Sequence, residues 1–497
     1  MPSTTLERRS RASTHKGVGL NHWGGVYVVV FLLCLMLCTA LSFAKTKVLY
    51  TKLLDLTGPN GYYPTALVQG TDGNLYGATY GSIVGPPGHH TSTGGIVYKM
   101  TPAGEQTVLY TFCTQPNCPD GDAPNPLLLA TNGNFYGTTP YGGAHPVVVE
   151  NGPPYGGTIF EITPAGELTT LYSFCAQTNC ADGSNSYSSL LQGTDGNFYG
   201  TTSRGGANGG GTIFRVSPAG KLTTLYSFPS MTVSNLDMAL IQGTNGDFYG
   251  TTESGGANAK GTIFKITPTG KLTTLYSFCS QANCADGSYP EAGVIQATDG
   301  NFYGTTYSGG AGNFGSVFRI TTSGTLTTLY SFCTTQGCPD GATPQTSLTQ
   351  GTDGNLYGTT GGTQFSITTG GTLMTLHQAG GTLPTNALIQ ATNGAFYSTT
   401  YMGGKASLGS AYSLTVGLGP FLETVQPSAK VGKTVTILGQ GFTGTTEVSF
   451  NGISASYTII SDTYLTATVP AGATTGLITV VTPSGTLTSN KPFVVKP

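Results

Sequence analysis

The sequence contains few charged residues and a single tryptophan. Charged side chains make up 8% of its 497 residues, where about 25% is usual. Removing the first 44 residues takes away four basic residues and Glu7, which leaves 16 basic and 21 acidic residues and a net charge of −5. Without a basic stripe to follow phosphates, nucleic-acid binding is excluded. Because Trp23 is the only tryptophan, an aromatic surface after residue 44 must use tyrosine or phenylalanine.

The sequence also lacks the motifs that carry most enzymatic chemistry. No nucleophile, base and orienting group occur at a diagnostic spacing, and neither a phosphate-binding loop nor a metal-ligand motif is present. We therefore assign no catalytic residue, metal or cofactor. The sequence favours a non-enzymatic protein and leaves an enzyme open as an alternative.

A long hydrophobic run occurs only near the start of the chain. Residues 26–41 are apolar and follow a basic segment with Arg8, Arg9 and Lys16, and small residues stand near Ala44. This pattern is typical of a secretory signal peptide at residues 1–44. An uncleaved membrane anchor is the alternative. We expect an exported protein in the periplasm, on the cell surface or outside the cell, with no membrane span after cleavage.

A ten-residue string, GTDGNFYGTT or a close variant, recurs seven times. Its turn glycines are spaced by 60, 63, 50, 54, 54 and 40 residues. Repeats of this length indicate an array of one supersecondary unit. The glycines are Gly73, Gly133, Gly196, Gly246, Gly300, Gly354 and Gly394.

Each repeat predicts four antiparallel strands. In the third copy, residues 190–194 and 197–202 flank Asp195-Gly196, a dipeptide typical of a type I′ hairpin turn, and residues 212–217 and 222–228 flank a second turn. Seven such units predict an all-β, seven-bladed β-propeller over residues 45–416. The seventh copy lacks its fourth strand, and residues 48–51 repeat the fourth-strand pattern of residues 108–111. We therefore expect the amino-terminal segment to complete the last blade.

Four loops between blades contain paired cysteines in the pattern FC-x₄-C-x-D-G, while the loop after Phe228 contains none. Cysteines that occur together or not at all behave as disulfide partners, and export favours oxidation. The alternative is metal binding by two thiolates with the nearby Asp120, Asp182, Asp286 or Asp340. The predicted disulfide cysteines are Cys113 and Cys118, Cys175 and Cys180, Cys279 and Cys284, and Cys333 and Cys338.

The aspartates of the repeated hairpin raise the question of a calcium or catalytic site. Asparagine replaces aspartate at residues 132, 245 and 393, which a turn tolerates and a carboxylate ligand does not. A structural role in the turn is therefore the prediction for Asp72, Asp195, Asp299 and Asp353.

The segment after residue 420 loses the repeat and alternates apolar with polar residues, as half-buried strands do. Its length suits a β-sandwich of about seven short strands over residues 421–497. Pro427, residues 435–437, Gly441-Phe442 and residues 448–452 resemble the immunoglobulin-like IPT/TIG domain. That resemblance implies a spacer or adhesive domain of a cell-surface protein.

The seven repeats are similar to the bacterial tandem repeats called GloVer, found in choice-of-anchor surface proteins. The similarity rests on the string DGN-[LF]-YGTT followed by GTIF-x-[IV]-[TS]-P-x-G-x-L-TTLYSF and covers about three quarters of the chain. It implies export and surface display, and it supplies no reaction. The hairpin also resembles, more weakly, streptogramin-lyase and two-component-regulator propellers.

Two insertions, at residues 80–95 and 141–156, break the regular length of the repeat. Both fall on the propeller face that carries the variable loops, where function is commonly grafted. We hypothesise that this face presents a site for a glycan or another cell-surface component. The alternatives are an extracellular lyase or glycan-active hydrolase, a structural envelope protein, and solvated loops without function. The candidate binding residues are His89, His90, Tyr141, His145, Glu150 and Tyr155.

Overall fold

The repeats form seven antiparallel sheets arranged as the blades of a β-propeller, six of them four-stranded and that of blade 1 six-stranded, and a β-sandwich follows. The computed structural model describes residues 48–84, 91–147, 155–229, 239–378 and 386–496. The predicted signal peptide lies outside the described residues. Within the described ranges, no helix has the length and apolar character needed to cross a membrane.

Thirty strands build the propeller within the described residues, and the innermost strand of each blade is only two residues long. In chain order they are β1 (Leu49–Asp55), β2 (Tyr62–Pro64), β3 (Val68–Gln69), β4 (Leu75–Val84), β5 (Thr91–Thr93), β6 (Ile96–Met100), β7 (Gln106–Thr111), β8 (Leu128–Leu129), β9 (Phe135–Tyr141), β10 (Tyr155–Ile162), β11 (Leu168–Ser173), β12 (Leu191–Gln192), β13 (Phe198–Thr202), β14 (Thr212–Val216), β15 (Leu222–Ser227), β16 (Ile241–Gln242), β17 (Phe248–Thr252), β18 (Thr262–Ile266), β19 (Leu272–Ser277), β20 (Ile295–Gln296), β21 (Phe302–Thr306), β22 (Ser316–Ile320), β23 (Leu326–Ser331), β24 (Thr349–Gln350), β25 (Leu356–Thr359), β26 (Thr363–Ile367), β27 (Leu373–Gln378), β28 (Ile389–Gln390), β29 (Phe396–Thr400) and β30 (Ser410–Thr415).

The amino-terminal strand closes the ring, as the sequence predicts. β1 pairs antiparallel with β30, from Leu49 opposite Thr415 to Asp55 opposite Ser410, and completes the sheet β1-β30-β29-β28. The last blade therefore contains both ends of the propeller segment. A closed ring leaves only short outer edges exposed.

The repeated hairpin is a type I turn followed by a left-handed glycine, so the type I′ prediction is wrong. In blade 3 the amide of Gly196 donates to the carbonyl of Gly193, and φ is positive at Gly196 (82°) but not at Asp195. Because only the glycine needs the left-handed region, Asp and Asn are both accommodated at the preceding position. The Asp195 carboxylate accepts hydrogen bonds from the Asn197 backbone amide (3.1 Å) and the Tyr199 hydroxyl (2.8 Å).

In the copies with asparagine, the hydrogen bond to the tyrosine hydroxyl is reversed, so that the tyrosine accepts instead of donating. The Asn132 and Asn245 side-chain amides donate to the hydroxyls of Tyr136 and Tyr249, each at 2.9 Å. Tyrosine can donate or accept, so either residue completes the turn. The geometry supports the structural role that the sequence indicates for these aspartates.

Replacing Asp195 with Asn should destabilise the propeller by less than about 1 kcal/mol at pH 7, since the carboxylate is largely exposed. Burial alone would raise the pKa of Asp195, but hydrogen bonds from Asn197 and Tyr199 outweigh it and lower the pKa. A lowered pKa stabilises the fold above the carboxyl's unfolded value and ceases to do so as the pH falls through the folded value. Urea unfolding at pH 7 and near pH 3 should show the difference shrinking in acid. A loss of several kcal/mol at pH 7 would contradict the structural role.

The FYG part of the repeat joins neighbouring blades. The Tyr136 ring stacks on Phe198 of the next blade with 4.0 Å between centroids, and Tyr199 packs on Phe248 at 4.1 Å. A Cβ at Gly200 would lie 2.6 Å from the Phe214 ring, so the glycine allows this packing. The core therefore lies between successive blades.

A belt of glutamines joins the innermost strands. The side-chain carbonyl of each accepts from a threonine amide in the hairpin of the preceding blade, as Gln192 does from Thr131 (3.0 Å), and Gln69 closes the ring by accepting from Thr392 (2.9 Å). Blade 2 breaks the belt because Leu129 occupies the corresponding position. The belt consists of Gln69, Gln192, Gln242, Gln296, Gln350 and Gln390.

The carboxy-terminal sandwich has two four-stranded sheets and a parallel pair, so it contains ten strands rather than about seven. Its core includes Val435, Ile437, Leu465 and Val480, which are fully buried. The strands are β31 (Glu423–Thr424), β32 (Ser428–Lys430), β33 (Thr434–Leu438), β34 (Glu447–Phe450), β35 (Ile453–Ser454), β36 (Tyr457–Ser461), β37 (Tyr464–Thr468), β38 (Ile478–Thr482), β39 (Gly485–Thr488) and β40 (Val494–Lys496).

The sandwich packs against the hairpin-turn face of the propeller, and both belong to one compact unit. The Thr463 hydroxyl donates to the carbonyl of Thr71 (2.8 Å), and the Gln440 side chain donates to the Thr392 hydroxyl (2.8 Å). Leu438 joins the hydrophobic cluster that contains Leu129. The break in the glutamine belt is thus part of the contact with the sandwich.

The cysteines of the four loops form disulfides within each loop, with Cα atoms 4.0 to 4.3 Å apart. The aspartate that follows each pair is held by hydrogen bonds. Asp120, for example, accepts from the Tyr110 hydroxyl (3.0 Å) and from the Cys113 amide. In two of the loops a short 3₁₀ turn contains the second cysteine, at Thr178–Cys180 and Ala282–Cys284.

Peptide mapping without reduction should find each cysteine of these loops linked to its partner five residues away. On the chain-entropy model, each link stabilises its loop by roughly 2 kcal/mol. Substitution of both cysteines of one loop by serine should therefore leave the propeller folded, because the loop after Phe228 does without them. Links between different loops, or one zinc ion per loop, would contradict the assignment.

Candidate functional site

The two faces of the propeller differ in what they carry. The hairpin-turn face contacts the sandwich, whereas the opposite face, here called the loop face, carries the disulfide loops and both insertions. Segments such as residues 62–65, 185–188 and 289–292 lead directly into innermost strands. They therefore surround the end of the central channel, which we call the loop-face mouth.

The structure brings some of the predicted site residues together. Tyr141 and Tyr155 lie opposite each other on β9 and β10 of blade 2. His145 follows β9, two residues before Val147, which forms an isolated bridge with Tyr155. The Tyr155 ring is covered by the Arg204 guanidinium at 4.4 Å. His89, His90 and Glu150 lie outside the described residues. Their part in a site stays a prediction.

Tyr141 belongs to a group of six half-buried tyrosines at the mouth. The Tyr141 hydroxyl is 2.8 Å from that of Tyr187 and forms a hydrogen bond with Tyr80. On the other side, Tyr63 stacks on Tyr401 with 4.3 Å between ring centroids and 13° between planes. The tyrosine cluster comprises Tyr62, Tyr63, Tyr80, Tyr141, Tyr187 and Tyr401.

The tyrosine cluster is closely packed, and three of its members have raised pKa values. Burial raises the pKa of Tyr80, and the hydrogen bond and charges of neighbouring tyrosines raise it further. Burial likewise raises the pKa of Tyr62 and Tyr401. The hydroxyls of Tyr62, Tyr80 and Tyr401 consequently remain protonated and can both donate and accept hydrogen bonds.

Local backbone geometry holds two of these rings in place. Tyr63 has a φ of 55°, in the left-handed region that non-glycine residues seldom occupy. A Cβ at Gly81 would lie 2.0 Å from the Tyr62 ring, so that ring lies directly over the glycine of the paired strand. The equivalent residues Ala123, Asn185, Tyr289 and Thr343 have φ between 51° and 60°, so this backbone geometry belongs to the repeat.

The other side of the mouth carries carboxylates from blades 4 and 5. Glu291 accepts a hydrogen bond from Gln345 (2.9 Å). Burial raises the pKa of Glu291, and the nearby charge of Glu253 raises it further. The Lys260 ammonium lies over the Tyr289 ring at 4.4 Å. The tyrosine cluster therefore dominates one side of the mouth, whereas the other side carries both carboxylates and the Lys260 ammonium.

Among the described residues, one group has the composition of a metal site: Cys113, Cys118 and Asp122, whose ligand atoms lie within 4.8 Å of one another. The two sulfur atoms are bonded to each other, so neither is a free thiolate. Burial raises the pKa of Asp122. This donor set does not fit a metal in the oxidised protein.

Sequence reasoning missed most of the tyrosine cluster. Tyr80 and Tyr401 directly follow the repeated Thr79 and Thr400, at a position where the other blades have Pro140, Ser203, Glu253, Tyr307 and Gly361. The residue at this position varies from blade to blade. Comparing that position across the blades, rather than looking at loop length, would have identified them.

Fold and site together define a class of protein: a closed seven-bladed β-propeller with an immunoglobulin-like domain on one face and an aromatic mouth on the other. The chain belongs to the Gloeobacter/Verrucomicrobia repeat family, whose model matches residues 39–243 and 234–366. An IPT/TIG domain model matches residues 420–495. Both resemblances seen in the sequence are confirmed. No curated protein matches the chain.

Solved structures similar to this chain are β-propellers of low sequence identity. A streptogramin B lyase is 16% identical with a TM-score of 0.50, and the match covers 75% of this chain and 99% of the lyase. A catalytically inactive virginiamycin B lyase from Staphylococcus aureus, solved with quinupristin, is 16% identical with a TM-score of 0.50, covering 74% of this chain and 99% of that one. At such identity, the similarity shows the fold alone.

A further similar structure is PorZ, described as an essential bacterial surface component of the type-IX secretion system of Porphyromonas gingivalis. It is 15% identical with a TM-score of 0.46, and the match covers 89% of this chain and 60% of PorZ.

Proposed function

We propose that the protein is an exported, non-enzymatic binding protein whose loop-face mouth holds a glycan or another hydroxyl-rich component of a cell surface. The tyrosine cluster carries this proposal. Flat tyrosine rings with protonated hydroxyls offer stacking surfaces and hydrogen bonds to a sugar without requiring charge.

Export is the second part of the proposal. It rests on the signal pattern of residues 1–44 and on the disulfides, which persist in oxidising compartments. In this proposal residues 45–416 form the displayed propeller and residues 421–497 the IPT/TIG domain. The family resemblance favours a bacterial surface protein.

The insertions would extend the site beyond the tyrosine cluster. Tyr141 belongs to both the second insertion and the cluster, and it connects the mouth to the blade 2 hairpin. Because Tyr141 makes this connection, we assign His145 and Tyr155 to the rim of the loop-face mouth. His89, His90 and Glu150 are assigned to it from the sequence alone.

A second candidate function is an extracellular enzyme acting on glycans. Glu291 favours it, because a carboxyl group whose pKa is raised by burial and by a neighbouring carboxylate can act as a general acid. In this alternative Glu291 would protonate a leaving group while a sugar lies on the tyrosines. Hydrolysis of a bound glycan that Glu291→Gln abolishes would establish it.

Residues found at the equivalent position of other blades provide substitutions that test the tyrosine cluster. Ser203 occupies the position of Tyr401 in blade 3, so Tyr401→Ser introduces a residue that this fold accepts there. We expect Tyr401→Ser to weaken glycan binding by about tenfold or more, the usual consequence of losing a stacked aromatic contact. Binding is measured by calorimetry with the strongest ligand from a glycan array.

The matched control is Tyr307→Ser, the same position in blade 5. It should bind the glycan nearly as well as the unaltered protein. Equal binding by Tyr401→Ser and the unaltered protein would refute the assignment of the cluster, as would a loss confined to Tyr307→Ser.

A further inference from the structure

A cavity of about 340 Å³ lies where the central channel meets the IPT/TIG domain. It is thus at the opposite end of the propeller from the loop-face mouth. Innermost strands of five blades form its wall, and β31, Leu438 and residues 490–491 form its floor. Its volume lies at the lower end of the range for small-molecule sites.

The wall and the floor of the cavity differ in chemistry. The wall is mainly apolar, with branched side chains such as Val68, Leu128, Ile295 and Ile389. The floor brings one carboxylate, Glu423, and one ammonium group, Lys491. A surface of this kind matches a ligand with an apolar body and both charges at one end.

Glu423 and Lys491 influence each other without forming a direct ion pair. The ion pairs found among the described residues do not include them. Burial raises the pKa of Glu423 and lowers that of Lys491, and the charge of each partly offsets the effect on the other. Burial therefore disfavours the charged forms of Glu423 and Lys491, and ligand groups of opposite charge would stabilise those charged forms.

Lys491 lines the cavity and is exposed by surface area. Its side chain is therefore accessible, and the ammonium is available to a ligand inside the cavity.

The contact between the sandwich and the hairpin-turn face of the propeller holds the floor of the cavity in a fixed position. Leu438 packs with Leu129 at the break in the glutamine belt, and Thr463 and Gln440 bond to the hairpins of blades 1 and 7. Charges on a rigid support lose little freedom when a ligand binds. The cavity is accordingly preorganised.

We propose that this cavity binds a small zwitterion with an apolar side chain, that is, a free apolar α-amino acid. Its ammonium would lie at Glu423, its carboxylate at Lys491, and its side chain against Val68, Ile295 and Ile389. This site is independent of the glycan site proposed at the loop-face mouth, so either can fail alone.

Calorimetry on the unaltered full chain with L-leucine, N-acetyl-L-leucine and L-leucine amide tests the proposal without any substitution. We expect L-leucine to bind, and each derivative to bind at least about tenfold more weakly, because each lacks one of the two charges. No detectable binding of L-leucine at millimolar concentration, with none for L-phenylalanine, would overturn the proposal. Equal binding of all three ligands would also overturn it.

Two variants locate the site. Glu423→Gln and Lys491→Met should each weaken L-leucine binding by about tenfold or more, and Glu423→Gln should not weaken N-acetyl-L-leucine further. Glu447→Gln and Lys433→Met, on the same domain but away from the cavity, are the controls and should bind normally. If the controls lose binding while the cavity variants keep it, the site lies elsewhere and the proposal is wrong.

Discussion

Removal of β1 is expected to lower the melting temperature of the whole propeller by more than about 10 °C and to broaden its transition. β1 pairs along its length with β30, whose Ala411, Tyr412 and Leu414 are fully buried. Tyr50 of β1 also stacks on His377 at 4.0 Å between centroids. Without β1, a buried strand becomes an open edge and the last blade loses its outer layer.

The matched control is a chain that begins at Val48 and so keeps β1. It should melt like the chain that begins at Lys45, since neither lacks a residue of the strand. Calorimetry of the two and of a chain that begins at Leu56 makes the comparison. An unchanged, cooperative transition in the chain without β1 would contradict ring closure by this strand.

Leu129→Gln is expected to release the IPT/TIG domain from the propeller. The substitution restores the glutamine that the other blades carry, but it places an amide against the apolar Leu438, Val425 and Tyr464. The belt position offers a partner to the amide carbonyl, but an amide N–H that faces these apolar side chains has none, which costs roughly 1–3 kcal/mol. We expect the domain to unfold separately in calorimetry, and the link near residues 416–420 to become a protease target.

The reciprocal variant Gln192→Leu serves as the control. It removes one bridge of the belt, from Gln192 to Thr131, at a place that the sandwich does not touch. A loss of about 1 kcal/mol from the propeller is expected, with the IPT/TIG domain still attached. If Leu129→Gln melts as a single unit with the stability of the unaltered protein, the role of Leu129 in the contact is refuted.

The closed seven-bladed propeller could be predicted from the sequence because the chain is built of repeats. Each copy carries its own turn residues and strand pattern, and the displaced strand at residues 48–51 could be recognised because six other copies show what is missing. The turn type was predicted wrongly because the Asp-Gly dipeptide suits two hairpin geometries. The choice between them depends on strand register, and the φ of Asp195, which is not positive, excludes the type I′ turn.

Much of the candidate site could not be predicted, because it depends on contacts between distant blades. Tyr63 and Tyr401 are far apart in sequence and meet only because the ring closes. Likewise, Glu423 and Lys491 reach the channel because the sandwich packs on the propeller, with Leu438 in the same cluster as Leu129. Repeat analysis describes what the blades share, whereas these features arise where blades differ.

A crystal structure of the protein with the strongest ligand from a glycan array tests the proposed function most directly. The account predicts a sugar ring lying on Tyr63 and Tyr401 at the loop-face mouth, with hydrogen bonds to the hydroxyls of Tyr80, Tyr141 or Tyr187. A glycan bound to the IPT/TIG domain or to the outer strands of the blades, with the mouth empty, would contradict it.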